Sequence, residues 1–370
     1  METGSPATRK PLICIVYSSA DLTGAFVAIK REAELMRDDA EFLLVLPKVN
    51  RIPDDQLEPF SGVLTLPIFD LRRSPLVALR YVAGLVSGSL RLRRLLGLHG
   101  CERVQMNCFT LHHGAMLRLL GFRGTIVTWV RSEPSRLRSM GWLSLRLASR
   151  ASDSLIVVSK HVQSQLPRRM KSRLVYDPAR EVPMIGASEG PALVLMGNYI
   201  PMKGQDFAIE AFHRVAERHP RARLVMHGNR TGLDGGEAYY ARLQDLAAAG
   251  PGAGRIHFGE FVPLAEGLAG KRAALMVSRW EPFGLACQDA SAHGLPVIAT
   301  RSGGPEEMID DGRTGFLVDV GDIAALAERM DRLLADVDLA TSMGDAGRTL
   351  MREHFPVARF KQDLREIFSL

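Results

Sequence analysis

Short apolar runs alternate with longer amphipathic stretches along most of the chain. The runs LICIVY at 12–17 and PVIAT at 296–300 are apolar and rich in β-branched residues, which is typical of strands buried in a parallel sheet. The stretches 25–37 and 323–335 instead carry apolar residues at helical spacing. This alternation predicts an α/β fold in which helices cover both faces of parallel sheets.

The alternation is interrupted at residues 176–190. This segment is rich in Pro, Gly and Ser and has no periodicity, as expected of an interdomain linker. A chain of 370 residues is also long enough for two separate cores. We therefore predict two Rossmann-like, doubly wound domains: an N-terminal domain at 1–178 and a C-terminal domain at 190–355.

Charge differs sharply between the two halves. Residues 1–180 contain 27 Lys and Arg against 15 Asp and Glu, whereas residues 181–370 contain 20 against 26. Residues 72–173 alone carry 19 basic and 3 acidic side chains. Such a field attracts phosphorylated acceptors, acidic lipid or nucleic acid. Nucleic acid is disfavoured as a partner because no recognition motif accompanies the charge.

Two predicted helices of this basic region combine arginines with apolar residues. In the helix 136–150, Trp142 lies between Arg138 and Arg146, which fits a helix at a membrane interface. The alternative is an ordinary surface helix. The helix predicted at 75–96 has an apolar face formed by Leu79, Val82, Ala83 and Val86. We expect a cytoplasmic protein with peripheral contact to the anionic inner face of the cell membrane.

The four cysteines lack metal-ligand spacing, so buried free thiols in a reducing compartment are expected. The apolar run near the N-terminus is too short for a signal peptide, and no run of 18 apolar residues predicts a membrane span. Oligomeric state cannot be predicted from these features.

Common nucleotide motifs are missing. No GxGxxG follows the first strand and no GxxxxGK[ST] occurs, which disfavours hydride transfer and P-loop phosphoryl transfer. The acids of Asp336-Val337-Asp338 follow a predicted helix and are interpreted as solvated carboxylates rather than metal ligands.

The stretch from Ser278 to Asp319 concentrates the candidate chemistry. Its pattern predicts a loop, a helix from Phe283 to His293 with Pro282 at its start, a strand, a glycine-rich loop and a second helix start. Helix N-termini and glycine loops at strand ends bind anions. Amides of 283–285 could therefore bind a pyrophosphate, with charge neutralisation by Lys203 at the end of GNYIPMKG. The carboxylates of Glu281 and Asp289 could bind hydroxyl groups of a sugar or ribose.

Three segments together resemble glycosyltransferase family 4, the retaining nucleotide-sugar transferases of GT-B fold. They are ASDSLIVVSKHVQSQL at 151–166, GNYIPMKGQDFAIEAF at 197–212 and the stretch 278–319. The resemblance is strong over about 150–370 and weak before it. It implies two domains facing a cleft, a last helix at 356–370 that packs back on the N-terminal domain, and no obligatory metal.

The resemblance also implies roles for individual residues. Glu281 would contact the donor sugar and Lys203 the diphosphate, which makes them the predicted catalytic pair, and Asp289 takes the ribose position. The donor-binding positions it implies are Gly197, Asn198, Lys203, Gly228, Phe261, Glu281, Phe283, Gly284, Leu285 and Asp289. On the acceptor side the candidates are Gly24, His112, Arg131 and Glu133.

Three positions depart from the family pattern. Asp289 stands where a Glu is usual, and Asn198 stands where an Arg usually assists the lysine. A His usual after the strand 125–130 is absent from TWVRSEP, so Arg131 and Glu133 are the candidates to replace it.

The expected function is therefore transfer of a sugar from a nucleoside diphosphate sugar to a saccharide, lipid-linked or phosphorylated acceptor in cell-surface polysaccharide, lipopolysaccharide or glycolipid synthesis. The base, sugar and acceptor are not specified. The alternatives are an epimerase or synthase of the same fold and a non-catalytic sugar-nucleotide-binding subunit.

Overall fold

The computed structural model describes residues 10–68, 75–230 and 235–370. The side chains of 75–79 and 137–138 are outside this description, and so are the predicted contributions of Leu79 and Arg138. The chain forms two units, which we call unit 1 (Met1–Asp177 with Ala358–Leu370) and unit 2 (Pro178–Val357).

Unit 1 is built on a seven-stranded parallel sheet of order β3-β2-β1-β4-β5-β6-β7. Its central strands β1, β4 and β5 lie in the core, where all but the first residue of each strand is buried. Strand β1 is a continuous apolar run, whereas β4 and β5 also bury Gln105 and Thr128. Its strands are β1 Leu12–Val16, β2 Glu41–Pro47, β3 Gly62–Leu66, β4 Arg103–Met106, β5 Thr125–Val130, β6 Ser154–Val157 and β7 Arg173–Leu174.

The helices of unit 1 follow the predicted alternation. They are α1 Gly24–Met36, α2 Pro75–Leu98, α3 His113–Leu119, α4 Arg138–Ala151 and α5 Lys160–Ser164. A 3₁₀ turn at Pro134–Leu137 precedes α4, so the helix predicted to begin at 136 starts two residues later. Of the apolar face predicted on α2, the described members Val82, Ala83 and Val86 are exposed to solvent rather than turned to the core.

Unit 2 contains a six-stranded parallel sheet of order β10-β9-β8-β11-β12-β13. Its core lies between this sheet and the helices, where Phe212, Leu275 and Leu333 pack together. The strands are β8 Ala192–Met196, β9 Arg223–His227, β10 Ile256–Gly259, β11 Ala273–Met276, β12 Val297–Thr300 and β13 Gly315–Val318. The helices are α6 Gln205–Ala216, α7 Gly236–Ala248, α8 Leu264–Leu268, α9 Leu285–Ala292, α10 Ile323–Ala335 and α11 Val337–His354.

The last helix, α12 Val357–Phe368, belongs almost entirely to unit 1. Its inner face buries Phe360, Leu364 and Phe368. Arg103 donates through Nε to the carbonyl oxygen of Phe368 (2.7 Å), and Arg173 pairs with Asp363 (2.8 Å). Apolar burial and ion pairs therefore fix the C-terminal segment to the N-terminal sheet.

One predicted helix start was wrong, and one helix was not predicted. The helix predicted from Phe283 begins at Leu285, after Gly284 in a left-handed conformation (φ 106°), so Pro282 lies before the helix rather than in its first turn. Helix α11 was not predicted at all. The carboxylate of Asp336 caps it by accepting a hydrogen bond from the amide of Leu339 (2.8 Å).

All four cysteines are free thiols; Cys14, Cys101 and Cys287 are buried and Cys108 is half-buried. Within the described ranges, no helix combines the length and apolar character that crossing a bilayer requires.

Candidate functional site

The candidate site lies where the strand order of unit 2 reverses. Strand β9, which follows β8 along the chain, pairs with one edge of β8. Strand β11 pairs with the other edge of β8. The loops after β8 and β11 therefore leave the sheet in opposite directions, which opens a crevice at their carboxyl ends. Lys203 lies in the loop after β8 and Glu281 in the loop after β11. The topology thus brings the predicted catalytic pair together.

The two side chains form an ion pair. The Nζ atom of Lys203 lies 2.6 Å from Oε2 of Glu281, and the side chains are 22% and 12% exposed. The hydroxyl of Ser278 donates to the same carboxylate oxygen at 3.3 Å. A strong acceptor and a strong donor therefore meet in a largely desolvated position that a polar ligand can still reach.

The backbone of Glu281 is held on both sides by the glycine-rich loop after β12. Its amide donates to the carbonyl of Ser302 (2.9 Å), and its carbonyl accepts from the amide of Gly304 (2.8 Å). This close approach requires glycine, because a Cβ on Gly304 would lie 2.0 Å from the carbonyl oxygen of Phe283. The loop is closed by Glu306, whose carboxylate accepts from the amide of Gly303 (3.1 Å). Glu281 is therefore fixed at its main chain.

The loop that carries Lys203 is held by Arg279. The amide of Arg279 donates to the carbonyl of Met202 (2.8 Å), and its guanidinium donates to the carbonyl of Pro201 and pairs with Asp206 (2.6 Å). Burial by itself would raise the pKa of Asp206, but hydrogen bonds from Arg279 and Tyr239 hold it below its ordinary value. The Asp206 carboxylate thus stays charged and anchors the loop at physiological pH.

Glycines let the surrounding loops approach one another. A Cβ on Gly228 would lie 2.1 Å from the carbonyl oxygen of Gly197, so the loops after β8 and β9 touch only because Gly228 lacks one. The stem of Lys203 runs beside Gly197, with methylene carbons 3.6 Å from where a Cβ would be. Asn198 accepts a long hydrogen bond from the amide of Asn229 (3.4 Å). Gly197 therefore borders the stem of Lys203, and Gly228 and Asn229 pack against the loop that carries it.

The other donor-side positions lie around this pair. The amide of Leu285 belongs to the first residue of α9, next to Gly284, whose Cβ position would be 3.5 Å from Cγ of Glu281. Phe283 is buried and packs edge-on against Phe355. Asp289 is buried on α9, where its charge acts on His293. Phe261 is 53% exposed in the loop after β10. Their contacts with a ligand stay predictions.

The acceptor-side candidates lie in unit 1 and are engaged in contacts within it. Gly24 is the first residue of α1. His112 bonds to Tyr81 through Nδ1 and to Ser144 through Nε2 (2.9 Å), and burial lowers its pKa. Arg131 pairs with the buried Asp177 (2.8 Å). Glu133 accepts from Arg136 (3.1 Å) and pairs with His161 (2.8 Å).

Two residues that hold the pair were not selected from the sequence. Ser278 lies two residues after the end of β11 and three residues before Glu281, and Arg279 is its neighbour. A signal was present, because polar residues at the carboxyl end of a buried strand lie at a ligand-binding edge. The sequence does not distinguish Arg279 from other surface arginines, because it does not show that Asp206 faces Arg279.

The sequence around this site is similar to those of known glycosyltransferases. Residues 185–350, which include Lys203, Glu281 and the other donor-side candidates, match the family described as glycosyl transferases group 1. A GDP-mannose-dependent alpha-(1-6)-phosphatidylinositol monomannoside mannosyltransferase of Mycolicibacterium smegmatis is 29% identical over 295 residues, or 70% of this chain and 74% of that protein. The lipopolysaccharide core biosynthesis glycosyltransferase LpsE of Rhizobium meliloti is 30% identical over 169 residues, 45% of this chain and 46% of that protein.

Solved structures show the same fold. Anabaena HepE in complex with UDP and glucose superposes with a TM-score of 0.82 at 18% identity, covering 97% of this chain and 99% of that one. The predicted GT-B fold class, two Rossmann-like parallel-sheet domains, is thereby confirmed. The enzyme class expected from the sequence, a glycosyltransferase, is confirmed by the family match over residues 185–350 and by the relatives named above.

Proposed function

We propose that this glycosyltransferase moves a sugar from a nucleoside diphosphate sugar to a saccharide, lipid-linked or phosphorylated acceptor, with retention of anomeric configuration. The observation that supports it is the Lys203–Glu281 ion pair (2.6 Å) at the switch point of a parallel sheet. The ammonium group suits a diphosphate and the carboxylate suits sugar hydroxyls. The solved HepE structure, which holds UDP and glucose, supports the choice of donor.

The two members of the pair would exchange partners when the donor binds. Lys203 would turn from Glu281 to the diphosphate, and Glu281 would accept hydrogen bonds from the transferred sugar. The amide of Leu285 at the start of α9 would contribute a further donor to the anionic ligand. In this proposal Lys203 and backbone amides stabilise the leaving group, so no metal ion is required and transfer should continue in EDTA.

The bond changes of the proposed step balance without another reactant. The bond between the anomeric carbon and the phosphate oxygen breaks, and its electron pair leaves with the nucleoside diphosphate. The acceptor oxygen forms a bond to the anomeric carbon from the same face, and its proton passes to the departing phosphate oxygen. Lys203 would stabilise the negative charge that develops on that oxygen.

The proposed place of action is the cytoplasm at the inner face of the cell membrane, in synthesis of a glycolipid, lipopolysaccharide or related cell-surface glycan. The names of the relatives support this class of acceptor, since one is a phosphatidylinositol monomannoside mannosyltransferase and another is a lipopolysaccharide core biosynthesis glycosyltransferase. The basic composition of residues 72–173 supports an acceptor that carries negative charge.

The proposal can be tested with a donor screen. Thermal shift with UDP, GDP, ADP and dTDP sugars should identify one stabilising base, and nuclear magnetic resonance of the product should show the donor's anomeric configuration. Glu281→Ala and Lys203→Ala should each lower turnover at least about a hundredfold while the protein stays folded. An inverted product would refute retention. Conversion of the donor without an acceptor would point to an epimerase or synthase, and wild-type turnover in both variants would remove the site assignment.

A further inference from the structure

One face of the sheet of unit 1 carries polar side chains at the ends of the neighbouring strands β4 and β5. Gln105 and Asn107 lie there on β4, and Trp129 and Arg131 lie there on β5. Side chains two positions apart point to the same face of a sheet, and the register pairs Gln105 with Val127. The four side chains therefore share one face. Cζ of Arg131 lies 4.0 Å from the centroid of the Trp129 ring.

Helix α1 places Glu32 against this face. The carboxylate is fully buried, and Nε2 of Gln105 donates to its Oε2 atom (2.8 Å). Within the described ranges Glu32 forms no ion pair. Burying an ionised carboxylate without a paired charge is costly, and such a group tends to take up a proton instead. The position of Glu32 therefore favours the neutral acid.

Three polar atoms of this group have no hydrogen-bond partner in the part of the chain that the structure describes. They are Oε1 of Glu32, Oε1 of Gln105 and Nη2 of Arg131. The two oxygens belong to side chains that one hydrogen bond already joins, and a proton on Oε1 of Glu32 supplies the donor that both lack. Nη2 of Arg131 is a donor, which suits an ionised Glu32. The group thus contains a partner for each protonation state of Glu32.

Arg131 also holds the chain at the point where it leaves unit 1. Its Nη1 atom pairs with Oδ2 of Asp177 (2.8 Å), and the two side chains are 8% and 3% exposed. Asp177 ends the N-terminal segment of unit 1, and Pro178 begins unit 2. The guanidinium that an ionised Glu32 would attract is therefore the one that fixes this exit.

The two carboxylates compete for one positive charge. Around Glu32 lie Arg31 on α1, Tyr17 after β1, Arg131 and Asp177. The charge of Arg131 favours ionisation of Glu32, and that of Asp177 opposes it. While Glu32 is protonated, Arg131 serves Asp177 alone. Once Glu32 ionises, the guanidinium is shared between two carboxylates that repel each other. Burial raises the pKa of Glu32 to about 7, which places this change near neutral pH.

We propose that Glu32 operates a proton-controlled latch formed by Arg131 and Asp177, which is tight while Glu32 is protonated and weaker once Glu32 is ionised. The segment that connects unit 1 to unit 2 should therefore loosen as pH rises through neutrality. The latch lies within unit 1 and does not depend on the proposed sugar transfer at Lys203 and Glu281.

The fluorescence of Trp129 tests the proposal in the full chain, because the guanidinium of Arg131 lies over its ring. W142F/W280F leaves Trp129 as the only tryptophan. Its emission should change with a midpoint near pH 7. The further substitution E32Q, which imitates the neutral acid, should abolish this transition.

Two variants in the same background sharpen the test. D177N should lower the midpoint by about one pH unit, because Glu32 loses a repelling charge and gains the guanidinium. E34Q removes a half-buried carboxylate elsewhere on α1 and should leave the transition unchanged. Infrared difference spectra between about pH 6 and about pH 8 should show the loss of one protonated carboxyl in the wild type and not in E32Q, since ordinary carboxyls are already ionised.

Tryptic cleavage after the exposed Arg180 measures the latch itself. By linkage, a tenfold effect of Asp177 on proton binding by Glu32 equals a tenfold effect of that proton on the hold on Asp177. The wild type should therefore be cut about 10-fold faster than E32Q near pH 8.5 and equally fast near pH 5.5. The ratio cancels the pH dependence of trypsin. Cleavage after the exposed Arg221 should not differ, whereas general destabilisation would accelerate both cuts.

Three results would overturn the latch. The first is a Trp129 transition that persists in E32Q, and the second is a midpoint that D177N leaves unchanged. The third is equal cleavage of wild type and E32Q after Arg180 near pH 8.5. The D177N midpoint decides the matter even where E32Q does not fold.

Discussion

The ion pair between Lys203 and Glu281 allows one prediction that separates the roles of its members. In the ligand-free protein the ammonium group is held by the carboxylate at 2.6 Å, so a diphosphate must compete for it. E281Q replaces the carboxylate by a neutral amide of the same shape and ends this competition. The variant should therefore bind the nucleoside diphosphate more tightly, although it should transfer sugar more slowly.

The size of both effects follows from the contact. A hydrogen bond to a charged group contributes about 1.5–3 kcal/mol, which the wild-type protein loses when the lysine leaves Glu281 for the diphosphate. Part of this cost is offset, because Ser278 and water also solvate the carboxylate. A net gain of about 1 kcal/mol would lower the Kd of E281Q for the diphosphate roughly fivefold. K203M removes the ammonium itself and should raise that Kd between about 10-fold and 100-fold. Turnover should fall at least about a hundredfold in both variants.

Isothermal titration calorimetry with the base chosen by the donor screen measures these constants. The double variant K203M/E281Q should bind like K203M, because the glutamine helps only by releasing the lysine. R218A/D331N, which removes an exposed pair of unit 2 (2.9 Å), should leave the Kd unchanged. If E281Q weakened diphosphate binding as much as K203M does, Glu281 would position the lysine rather than compete for it, and the reasoning would be refuted.

Three further predictions concern the supports of the site and the core of unit 1. Gly304→Ala should destabilise unit 2 by at least about 2 kcal/mol and abolish transfer, because the added methyl group would collide with the Phe283 backbone. Chemical denaturation measures the loss of stability. Gly190→Ala is the control, because Gly190 has room for a methyl group. R279K should keep the charge beside Asp206 but lose the forked contact, so we expect transfer to fall about tenfold with little change in melting temperature. Burial raises the pKa of Glu32 from 4.5 to about 7. Between pH 4.5 and pH 7 the native state therefore binds more protons than the unfolded state. The free energy of unfolding should fall as pH rises through this interval, by about 3 kcal/mol in all. Melting curves at pH 5 and pH 8 should show this loss in the wild type and not in E32Q, and the half-buried Glu34→Gln should behave like the wild type.

The strands could be predicted because apolar, β-branched runs have few other uses. Ala192–Met196 and Arg223–His227 have the predicted bounds in the structure. The order of the strands could not be predicted in the same way, since alternation fixes the class of a sheet but not its neighbours. The contact between Lys203 and Glu281 depends on that order, because β8 and β11 are adjacent while the two residues are 78 positions apart.

The errors have tertiary causes. Helix α11 was missed because its buried side includes Gly344 and Gly347, which a sequence pattern treats as breaks. The structure uses Gly344 for close packing, since a Cβ there would lie 2.0 Å from the carbonyl oxygen of Gly294. Helix α9 starts later than Pro282 suggests because the backbone of Glu281 pairs with the loop at Gly303. The exposure of Val82 and Val86 on α2 could not be predicted either, since periodicity defines a face of a helix but not what covers that face.

The way the pair is mounted predicts which member moves when a donor binds. The main chains of both residues are held by hydrogen bonds, Glu281 by the loop after β12 and Lys203 by the carbonyl of Ile200 (2.9 Å). The carboxylate of Glu281 also accepts from Ser278 (3.3 Å), whereas the ammonium group of Lys203 lies at the end of a longer, flexible stem beside Gly197. Lys203 is therefore the member that we expect to leave the pair when a donor binds. Its ammonium group can do so because it holds the carboxylate through one contact at the end of a rotatable stem. Lys203→Arg keeps the charge but offers a planar fork that can hold the carboxylate through two bonds. We expect K203R to bind the nucleoside diphosphate at least about 10-fold more weakly than the wild type, and K203R/E281Q to recover most of that loss. Wild-type affinity in K203R alone would show that charge suffices at this position and that release from Glu281 does not limit binding.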